Sequence, residues 1–427
     1  MYRSPILAFI TIVSAHCLCA EDRFEQKPIE YSLTKAENPV SRLQTKLKKG
    51  ELKWTPENKT GFLKPLLQGL GIGLNSQTLV FSKTSFQAKR ISPSYPRALY
   101  FNDEVYVGYV PGSHLLELSV ADPKLGAVFY VFDQRDKSLN RETSDCLSCH
   151  GSSRTDYAPG HFLRSVVPGE NGHSILWGGS KLVSHSTPYH ERWGGWYASE
   201  RIPQVENQAN SFGEIINDRE IKMNKSNDGQ SISKLFNSEF YLSPHSDIVA
   251  LMVQDHQVTM HNLIAQANYK TRQALFDQKI IDQALGRNSA EMSSSTKSRI
   301  ANIGEKLLKY LLFVEEAELP SCVYGSTDFA ENFSNRGPHD SKGRSLYQLD
   351  LKKRLLKYPC SYLIHSCAFK ELPSETKDYL YKRLWEILNG KDQNEPFSKI
   401  KMSDLQAIKE ILLDTQKDLP KYWVQKT

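Results

Sequence analysis

Residues 98–110 read Ala-Leu-Tyr-Phe-Asn-Asp-Glu-Val-Tyr-Val-Gly-Tyr-Val, and this run sets the architecture of the first half of the chain. Its β-branched and aromatic residues favour strands, and Asn102-Asp103 offers a turn between the two halves of the run. The sequence therefore predicts a β-hairpin here. Turn residues separate similar runs on both sides, which predict strands at 78–81, 115–120, 127–132, 162–167, 174–177 and 194–198.

From residue 241 onward the spacing of the apolar residues becomes helical. One predicted helix opens at Ser243-Pro244. One of its faces carries a stripe of histidines and hydrophobic residues: His245, Val249, Met252, His256 and Met260. Further helices are predicted at 300–314, at 346–367 with Pro359 as a potential break, after Pro373, and from Ser403 to Leu412. Loops are predicted at 200–235, 280–298 and 325–345.

The predicted fold is α+β, with a β-rich N-terminal half and an all-helical C-terminal half. The chain divides into a polar lead-in with a short helix at 21–75, a β-rich domain at 76–235 and a helical domain at 240–427 that packs on it. Hydrophobic residues make up 39% and charged residues 24% of the 427 residues, which is typical of a globular protein. The net charge of +6 is spread along the chain, and this argues against a nucleic-acid partner.

Residues 1–20 have the pattern of a secretory signal peptide. Arg3 supplies a positive charge, residues 6–12 form a short apolar core, and cleavage is predicted near Ala20. The apolar run is too short to cross a membrane, and no later stretch approaches eighteen apolar residues. A buried N-terminal strand and a lipid anchor on Cys17 or Cys19 are weaker alternatives. The sequence thus predicts a periplasmic or otherwise exported protein without a transmembrane segment in the mature chain.

The most specific motif is Cys146-Leu147-Ser148-Cys149-His150, followed by Gly151. Two thiols at this spacing can each form a thioether with one vinyl group of a haem, and the adjacent imidazole then serves as the proximal iron ligand. Such attachment takes place outside the cytoplasm, in agreement with the predicted leader. A thioredoxin-like redox pair, a zinc site and a plain disulfide are the rival interpretations. The motif predicts one covalent haem c, held by Cys146 and Cys149, with His150 on the iron.

Longer blocks of the chain resemble a family of uncharacterised bacterial single-haem proteins with a cytochrome c domain. The blocks are 100–109, 149–155 with 159–161, 192–197, 245–252, 343–346 and 358–362. The resemblance implies haem binding and electron transfer, and it names no reaction. A Gly-Thr-His-Gly segment often follows the Trp-Tyr block in that family, whereas this chain has Ala-Ser-Glu-Arg-Ile-Pro at 198–203. The resemblance therefore implies no role for that segment in this chain.

A low-spin electron carrier needs a second axial ligand, usually Met or His. The stripe on the predicted helix makes His256 the first candidate for this distal ligand and Met252 the second. His161, which follows Pro159-Gly160, and His185 are weaker candidates, and His190 is a further rival. Core packing is the alternative for the residues of the helix stripe. A surface or hydrogen-bonded histidine is the alternative for each of His161, His185 and His190.

Other residues in the β-rich half are candidates for the haem surroundings. Arg154, Arg164 and Arg192 are candidate partners for the haem propionates, and surface ion pairs are the alternative. An aromatic group is the candidate wall of the haem pocket, with an ordinary core cluster as the alternative: Trp193, Trp196 and Tyr197.

Five cysteines follow the predicted leader. A bridge from Cys322 to Cys360 or to Cys367 is compatible with export, whereas Cys360 and Cys367 lie too far apart on a predicted helix to join each other.

The sequence predicts an exported c-type cytochrome that passes electrons between redox partner proteins. A chain of 427 residues is large for a carrier with a single haem. Two other classes therefore stay open: a haem-dependent oxidoreductase with an open iron site, and a haem-based sensor module.

Overall fold

The computed structural model describes residues 20–200, 205–218, 220–225, 231–287, 291–392 and 394–424. The predicted leader, apart from Ala20, lies outside these residues. Strands occupy most of the first half and helices most of the second, so the predicted α+β class is confirmed. In the described part of the chain, no helix combines the length and the apolar character that crossing a bilayer requires.

The helices begin and end at residues that the structure defines individually. They are α1 Pro39–Lys48, α2 Leu63–Gly69, α3 Asp145–His150, α4 Ile248–Ala284, α5 Ser294–Leu311, α6 Phe329–Ser334, α7 Cys367–Lys370, α8 Ser374–Leu388 and α9 Met402–Thr415. The strands are β1 Thr78–Val80, β2 Arg97–Phe101, β3 Val105–Tyr109, β4 Leu115–Asp122, β5 Gly126–Asp133, β6 Ser138–Glu142, β7 Arg164–Val166, β8 Ser180–Leu182, β9 Trp196–Tyr197, β10 Ser211–Asn217 and β11 Glu220–Lys225.

Seven of the described strands form an antiparallel sheet in the order β6-β5-β4-β3-β2-β1-β9. The predicted hairpin at 98–110 is confirmed, since β2 pairs with β3 from Ala98 opposite Tyr109 to Phe101 opposite Tyr106. The side chain of Asn102 closes the turn, where its Oδ1 accepts hydrogen bonds from the backbone N–H groups of Glu104 and Val105. Asn thus performs the local side-chain-to-backbone bonding that favours it in turns.

The two faces of this sheet have different surroundings. Along β4, Leu116, Leu118 and Val120 are buried, whereas Glu117 and Ser119 between them are half-buried. The buried face packs on apolar residues of the N-terminal segment and of α1 and α2. The segment at 21–75 therefore contributes core residues as well as polar ones. The opposite face is covered by α4 over part of its area and is partly open elsewhere.

Helix α4 is the central element of the second half. Asp247 caps it, because its Oδ1 accepts hydrogen bonds from the N–H groups of Val249 and Ala250. The first eleven residues, 248–258, are all buried, so this part of the helix is enclosed on every side. The prediction that the helix opens at Ser243-Pro244 is wrong by one turn, and His245 precedes the helix.

Three further predictions of local structure are wrong. Residues 174–177 form no strand; the short 3-10 helix Leu176–Gly178 lies there instead. Residues 200–235, predicted as a loop, contain the β10–β11 hairpin, whose mostly exposed polar side chains hide the strand pattern. Residues 346–367 form no single helix, because Asp350 Oδ1 accepts hydrogen bonds from two following N–H groups and Leu349 bridges to Leu356.

The other helix predictions are confirmed as elements, although α5 begins six residues before the predicted start at 300. Helices α5, α8 and α9 confirm the predictions at 300–314, after Pro373 and at 403–412. The predicted loop at 280–298 is shorter, since α4 continues to Ala284 and α5 begins at Ser294. The predicted loop at 325–345 contains α6.

Candidate functional site

The Cys-x-x-Cys-His motif forms helix α3. Glu142 Oε1 caps its start by accepting hydrogen bonds from the N–H and the hydroxyl of Ser144, at 2.8 and 2.7 Å. The helix ends at Gly151, where an added Cβ would lie 2.7 Å from the ring of Phe24. Cys149 and His150 follow Cys146 by three and four residues, so each of them shares a helix face with Cys146.

His150 is held in one orientation by the loop that follows it. Its ring stacks on Phe162 with 4.4 Å between centroids and an angle of 16° between planes, and it lies 4.8 Å from the ring of Phe129. Its Nδ1 lies 2.9 Å from the carbonyl oxygen of Gly160. Because a carbonyl only accepts, Nδ1 carries the proton, and the lone pair of the neutral ring is on Nε2.

The backbone of the same loop reinforces this arrangement. Gly160 N–H donates to the carbonyl oxygen of His150 at 2.9 Å, and the hydroxyl of Thr155 donates to the same oxygen at 3.0 Å. Burial of the ring, aided by the positive charges of Arg97 and Arg154, lowers the pKa of His150 to about 4. The imidazole is therefore neutral at physiological pH, which is the form that binds a metal.

The two thiols have different surroundings. Cys149 is exposed, whereas Cys146 is half-buried beside the carboxylates of Glu117 and Glu142. Burial and these two carboxylates raise the pKa of Cys146 to about 12. A thioredoxin-like pair requires the opposite, a thiol whose pKa is lowered so that it is a reactive thiolate. The electrostatics around Cys146 thus argue against that rival interpretation.

A partly open patch of the sheet lies beside Cys146. Leu99, Gly108, Glu117 and Val131 form one cross-strand row, and all but the glycine are half-buried. The guanidinium of Arg97 crosses Gly108, where any Cβ would collide with it, and forms an ion pair with Glu117. Arg97 Nε and Glu117 Oε1 are buried and lack a hydrogen-bond partner among the described residues. This patch therefore offers both apolar surface and unsatisfied polar atoms.

Two further arginines lie near the motif. Arg164 on β7 is close enough to Arg154 and Cys149 for both to act on its pKa, which burial and the charge of Arg154 lower. Arg164 Nε donates to the hydroxyl of Ser180 at 3.0 Å. Within the described ranges, neither Arg154 nor Arg164 forms an ion pair with a carboxylate. Two neighbouring guanidinium groups without counter-ions suit a ligand that bears carboxylates.

These features fit a haem attached at α3. The helix carries two thiols and one neutral imidazole within a span of five residues, and the guanidinium groups of Arg154 and Arg164 near it would suit haem propionates. Arg97, which the sequence analysis did not select, adds a third guanidinium. Its only sequence signal is a basic residue at the start of a predicted strand, and the cross-strand glycine that makes room for it becomes evident only once the strands are paired.

The third predicted propionate partner, Arg192, has another role. It is 2% exposed and pairs with Asp255 at 3.3 Å, deep in the core of the second half. Trp193 Nε1 donates to the same carboxylate at 3.0 Å. Burial raises the pKa of Asp255 to about 7, against the opposing effect of Arg192. Trp193, Trp196 and Tyr197 are likewise buried in the protein interior, which supports the core-cluster alternative for them.

The predicted distal ligands lie in the protein core. His185 and His256 contact each other, with 2.8 Å between their Nδ1 atoms, and His256 Nε2 lies 2.7 Å from the hydroxyl of Ser361. Met252 is 1% exposed in the helical core. His190, in contrast, lies at the surface beside Glu191.

His161 is 5% exposed and lies against the rings of Tyr106 and Phe129. Neither of its ring nitrogens has a hydrogen-bond partner among the described residues. Across the described chain, no hydrogen bond or ring contact joins any of these candidates to His150. The identity of the distal ligand stays a prediction.

The structure also bears on the other rival interpretations. The residues described contain no group of three or more His, Cys, Asp or Glu side chains placed to hold a metal ion, as a zinc site requires. The cysteines 146, 149, 322, 360 and 367 are all free, so neither bridge from Cys322 is formed. Cys360 lies in a turn and Cys367 begins α7, so the helix assumed to separate them is absent there.

No protein-family model, curated protein or solved structure matches this chain. The resemblance to single-haem cytochrome c-domain proteins therefore stays a prediction.

Proposed function

We propose that this protein is a c-type cytochrome that carries one haem on Cys146 and Cys149 and transfers electrons between redox partner proteins. The haem supplies a one-electron iron couple when it is bound. His150 is the proximal ligand in this proposal, and Nε2 is its ligating atom. The predicted leader supports a periplasmic or otherwise exported location, where covalent attachment of this kind takes place.

The observation that carries the proposal is the hydrogen bond between His150 Nδ1 and the carbonyl oxygen of Gly160, at 2.9 Å. Metal-ligating histidines generally donate their second ring N–H to a carbonyl or carboxylate, which fixes the tautomer and the ring orientation. The ring of His150 is held in this way by a loop whose backbone is itself bonded to the carbonyl of His150. This arrangement orients the ligand before any metal binds.

The charges around α3 support the same proposal. In this proposal Arg154 and Arg164 neutralise the propionates, and the half-buried Leu99 and Val131 contact an edge of the macrocycle. Charge-assisted pairing of guanidinium with carboxylate is stronger than neutral hydrogen bonding, so these arginines orient the ligand as well as bind it. Burial and nearby guanidinium groups would both disfavour the more positive ferric iron, and would thereby raise the reduction potential of a haem held here.

Attachment is tested by expressing the full chain with a periplasmic haem-attachment system and staining a denaturing gel for covalent haem. The double variant Cys146→Ser/Cys149→Ser is expected to lose the stain completely. Cys322→Ser is the matched control, because Cys322 is also a free, half-buried thiol, and it is expected to keep the stain. A colourless wild-type protein, or a stain that survives the double substitution, refutes the proposal.

A second candidate is a haem-dependent oxidoreductase with an open sixth position on the iron. It is favoured by the positions of His185 and His256, which are hydrogen-bonded to each other in the helical core. The reduced protein is examined before and after addition of carbon monoxide. Unchanged absorption bands support the electron carrier, and a carbon monoxide shift supports the open site.

A further inference from the structure

A concave region lies between helices α4 and α5, and two other segments of the chain border it. Residues 156–158 of the loop after the motif form one side, and residues 23–29 form another. This region is open to solvent on one side, and its volume is about 450 Å³, within the range of small-molecule sites. We call this region the α4–α5 cleft. It is not lined by the thiols or the imidazole of the motif.

Polar residues recur at helical spacing on both walls of the α4–α5 cleft. Gln266, Lys270 and Gln273 line it from α4, and Arg299, Asn302 and Lys306 line it from α5. Each set follows the spacing at which residues share one helix face. The buried face of α5 carries apolar residues such as Ile303 and Leu307. Asn302 and Lys306 beside it are exposed, so the polar stripes line the open side of the cleft, where a ligand can reach them.

The charges in the α4–α5 cleft are unbalanced. Four basic side chains line it against the single carboxylate of Asp156. Lys270 pairs with Asp156 at 2.5 Å, and Arg299 pairs with Asp277 at 2.7 Å. The other two basic residues, Arg23 and Lys306, form no ion pair among the described residues. An anion in the cleft would meet these two uncommitted positive charges.

The base of the α4–α5 cleft is apolar and partly aromatic. Phe24, Tyr269 and Ile303 are buried in it, at 6%, 8% and 2% exposure. Tyr157 adds a half-buried ring from the loop. Asp156 and Tyr157 both have left-handed backbone conformations, with φ of 55° and 58°. Such conformations are costly for non-glycine residues and concentrate at functional sites, and here they present a carboxylate and a ring to one cleft.

From this combination we infer that the α4–α5 cleft binds a small organic anion with a planar aromatic body. The aromatic base contacts the body, and Arg23 and Lys306 bind the anionic group. The cleft is also connected to His150, because Gln266 Nε2 donates to the carbonyl of Thr155, whose hydroxyl donates to the carbonyl of His150. A ligand in the cleft therefore contacts the same loop that orients the imidazole.

The test is isothermal titration calorimetry on the purified full chain with 2-naphthoate, its neutral analogue 2-naphthamide and inorganic phosphate. We expect saturable binding of 2-naphthoate and at least tenfold weaker binding of the other two compounds. The double variant Arg23→Gln/Lys306→Gln is expected to bind 2-naphthoate about fivefold more weakly, as two exposed charges of moderate strength would contribute. Lys297→Gln, an exposed lysine of α5 outside the cleft, is the matched control and is expected to bind like the wild type.

Each result bears directly on the inference. Absence of 2-naphthoate binding overturns it, as does binding that the double variant leaves unchanged. Binding of 2-naphthamide as tight as that of 2-naphthoate overturns the inference, because the cleft then does not recognise the negative charge. Binding of phosphate as tight as that of 2-naphthoate overturns it as well, because the cleft then does not recognise the aromatic body. The measurement requires no haem signal, so a colourless protein that binds 2-naphthoate refutes the cytochrome proposal and leaves this inference intact.

Discussion

Gly160 lies in the loop after the motif, where this loop approaches helix α4 closely. This close approach allows a quantitative prediction for a substitution of Gly160. A Cβ at this position would lie 2.6 Å from Asn262 Oδ1 and 3.0 Å from the Cβ of Thr155. Overpacking of this kind costs typically about 1–3 kcal/mol of unfolding free energy. We therefore expect Gly160→Ala to destabilise the protein by about 2 kcal/mol, because its carbonyl and N–H must stay bonded to His150 while the new methyl is accommodated.

Asn262 is the collision partner, and this allows a double-mutant cycle. Its side chain also accepts from the N–H of His161 at 2.8 Å and donates to the carbonyl of the same residue at 2.6 Å. Asn262→Ala thus costs about 2 kcal/mol through two lost hydrogen bonds. In the double variant the collision is gone, so the two costs should be less than additive by about 1–2 kcal/mol.

The assay is urea-induced unfolding followed by circular dichroism, with the four proteins compared in the same buffer. A Gly160→Ala protein as stable as the wild type would refute the reasoning. Strict additivity in the cycle would do the same, because it would show that the new methyl does not meet Asn262.

Two other predictions concern buried polar groups. His261 is a buried residue of α4, and burial lowers its pKa to about 4, below the value of about 6.5 in an unfolded chain. The neutral ring therefore contributes its full stabilisation above pH 6.5, and this stabilisation is lost as the pH falls towards 4. The stability advantage of the wild type over His261→Gln should therefore shrink by about 2 kcal/mol between pH 7 and pH 5 in urea unfolding, and a constant difference contradicts the prediction. Above pH 7, where Asp255 with its pKa of about 7 is ionised, Trp193→Phe should cost about 1 kcal/mol more than Trp196→Phe. Trp193 Nε1 donates to the carboxylate of Asp255, whereas Trp196 Nε1 donates to the neutral carbonyl of Arg164. Equal unfolding free energies for these two variants would show that the carboxylate adds nothing to the hydrogen bond.

The parts of the fold that followed from the sequence are those with a strong local pattern. The hairpin of β2 and β3 combines β-branched and aromatic runs with an Asn turn, and each of these signals is local. The hairpin of β10 and β11 escaped prediction because its side chains are mostly exposed, so no apolar alternation marks it. The apolar residues at 346–367 indicated a helix, but turns bury them equally well, with the Asp350 side chain supplying backbone hydrogen bonds.

The stripe on α4 shows why the sequence could not select a distal ligand. A stripe is informative when one helix face is buried and the other is solvated. The first eleven residues of α4 are buried on all sides, so the positions of Met252 and His256 on one face do not distinguish a ligand from a packing residue. Polar residues in that stretch are instead explained by specific partners: Ser361 for His256, and Arg192 with Trp193 for Asp255.

The residues of the candidate haem site also fall into two groups, those that a local sequence motif identifies and those that only the fold brings together. The residues proposed to attach the haem and to ligate its iron lie within five positions of the sequence, and a motif of this kind can be identified without a structure. Arg97, Gly108 and Gly160 join the site only through strand pairing and loop return, since each acts on a residue of a different segment. Glycine is needed at the last two of these positions because it leaves space. Gly108 leaves space for the guanidinium of Arg97, and Gly160 leaves space for the side chain of Asn262. A sequence motif can identify the residues proposed to act on the ligand. The residues that leave space for their neighbours can be identified only from the contacts in the folded structure.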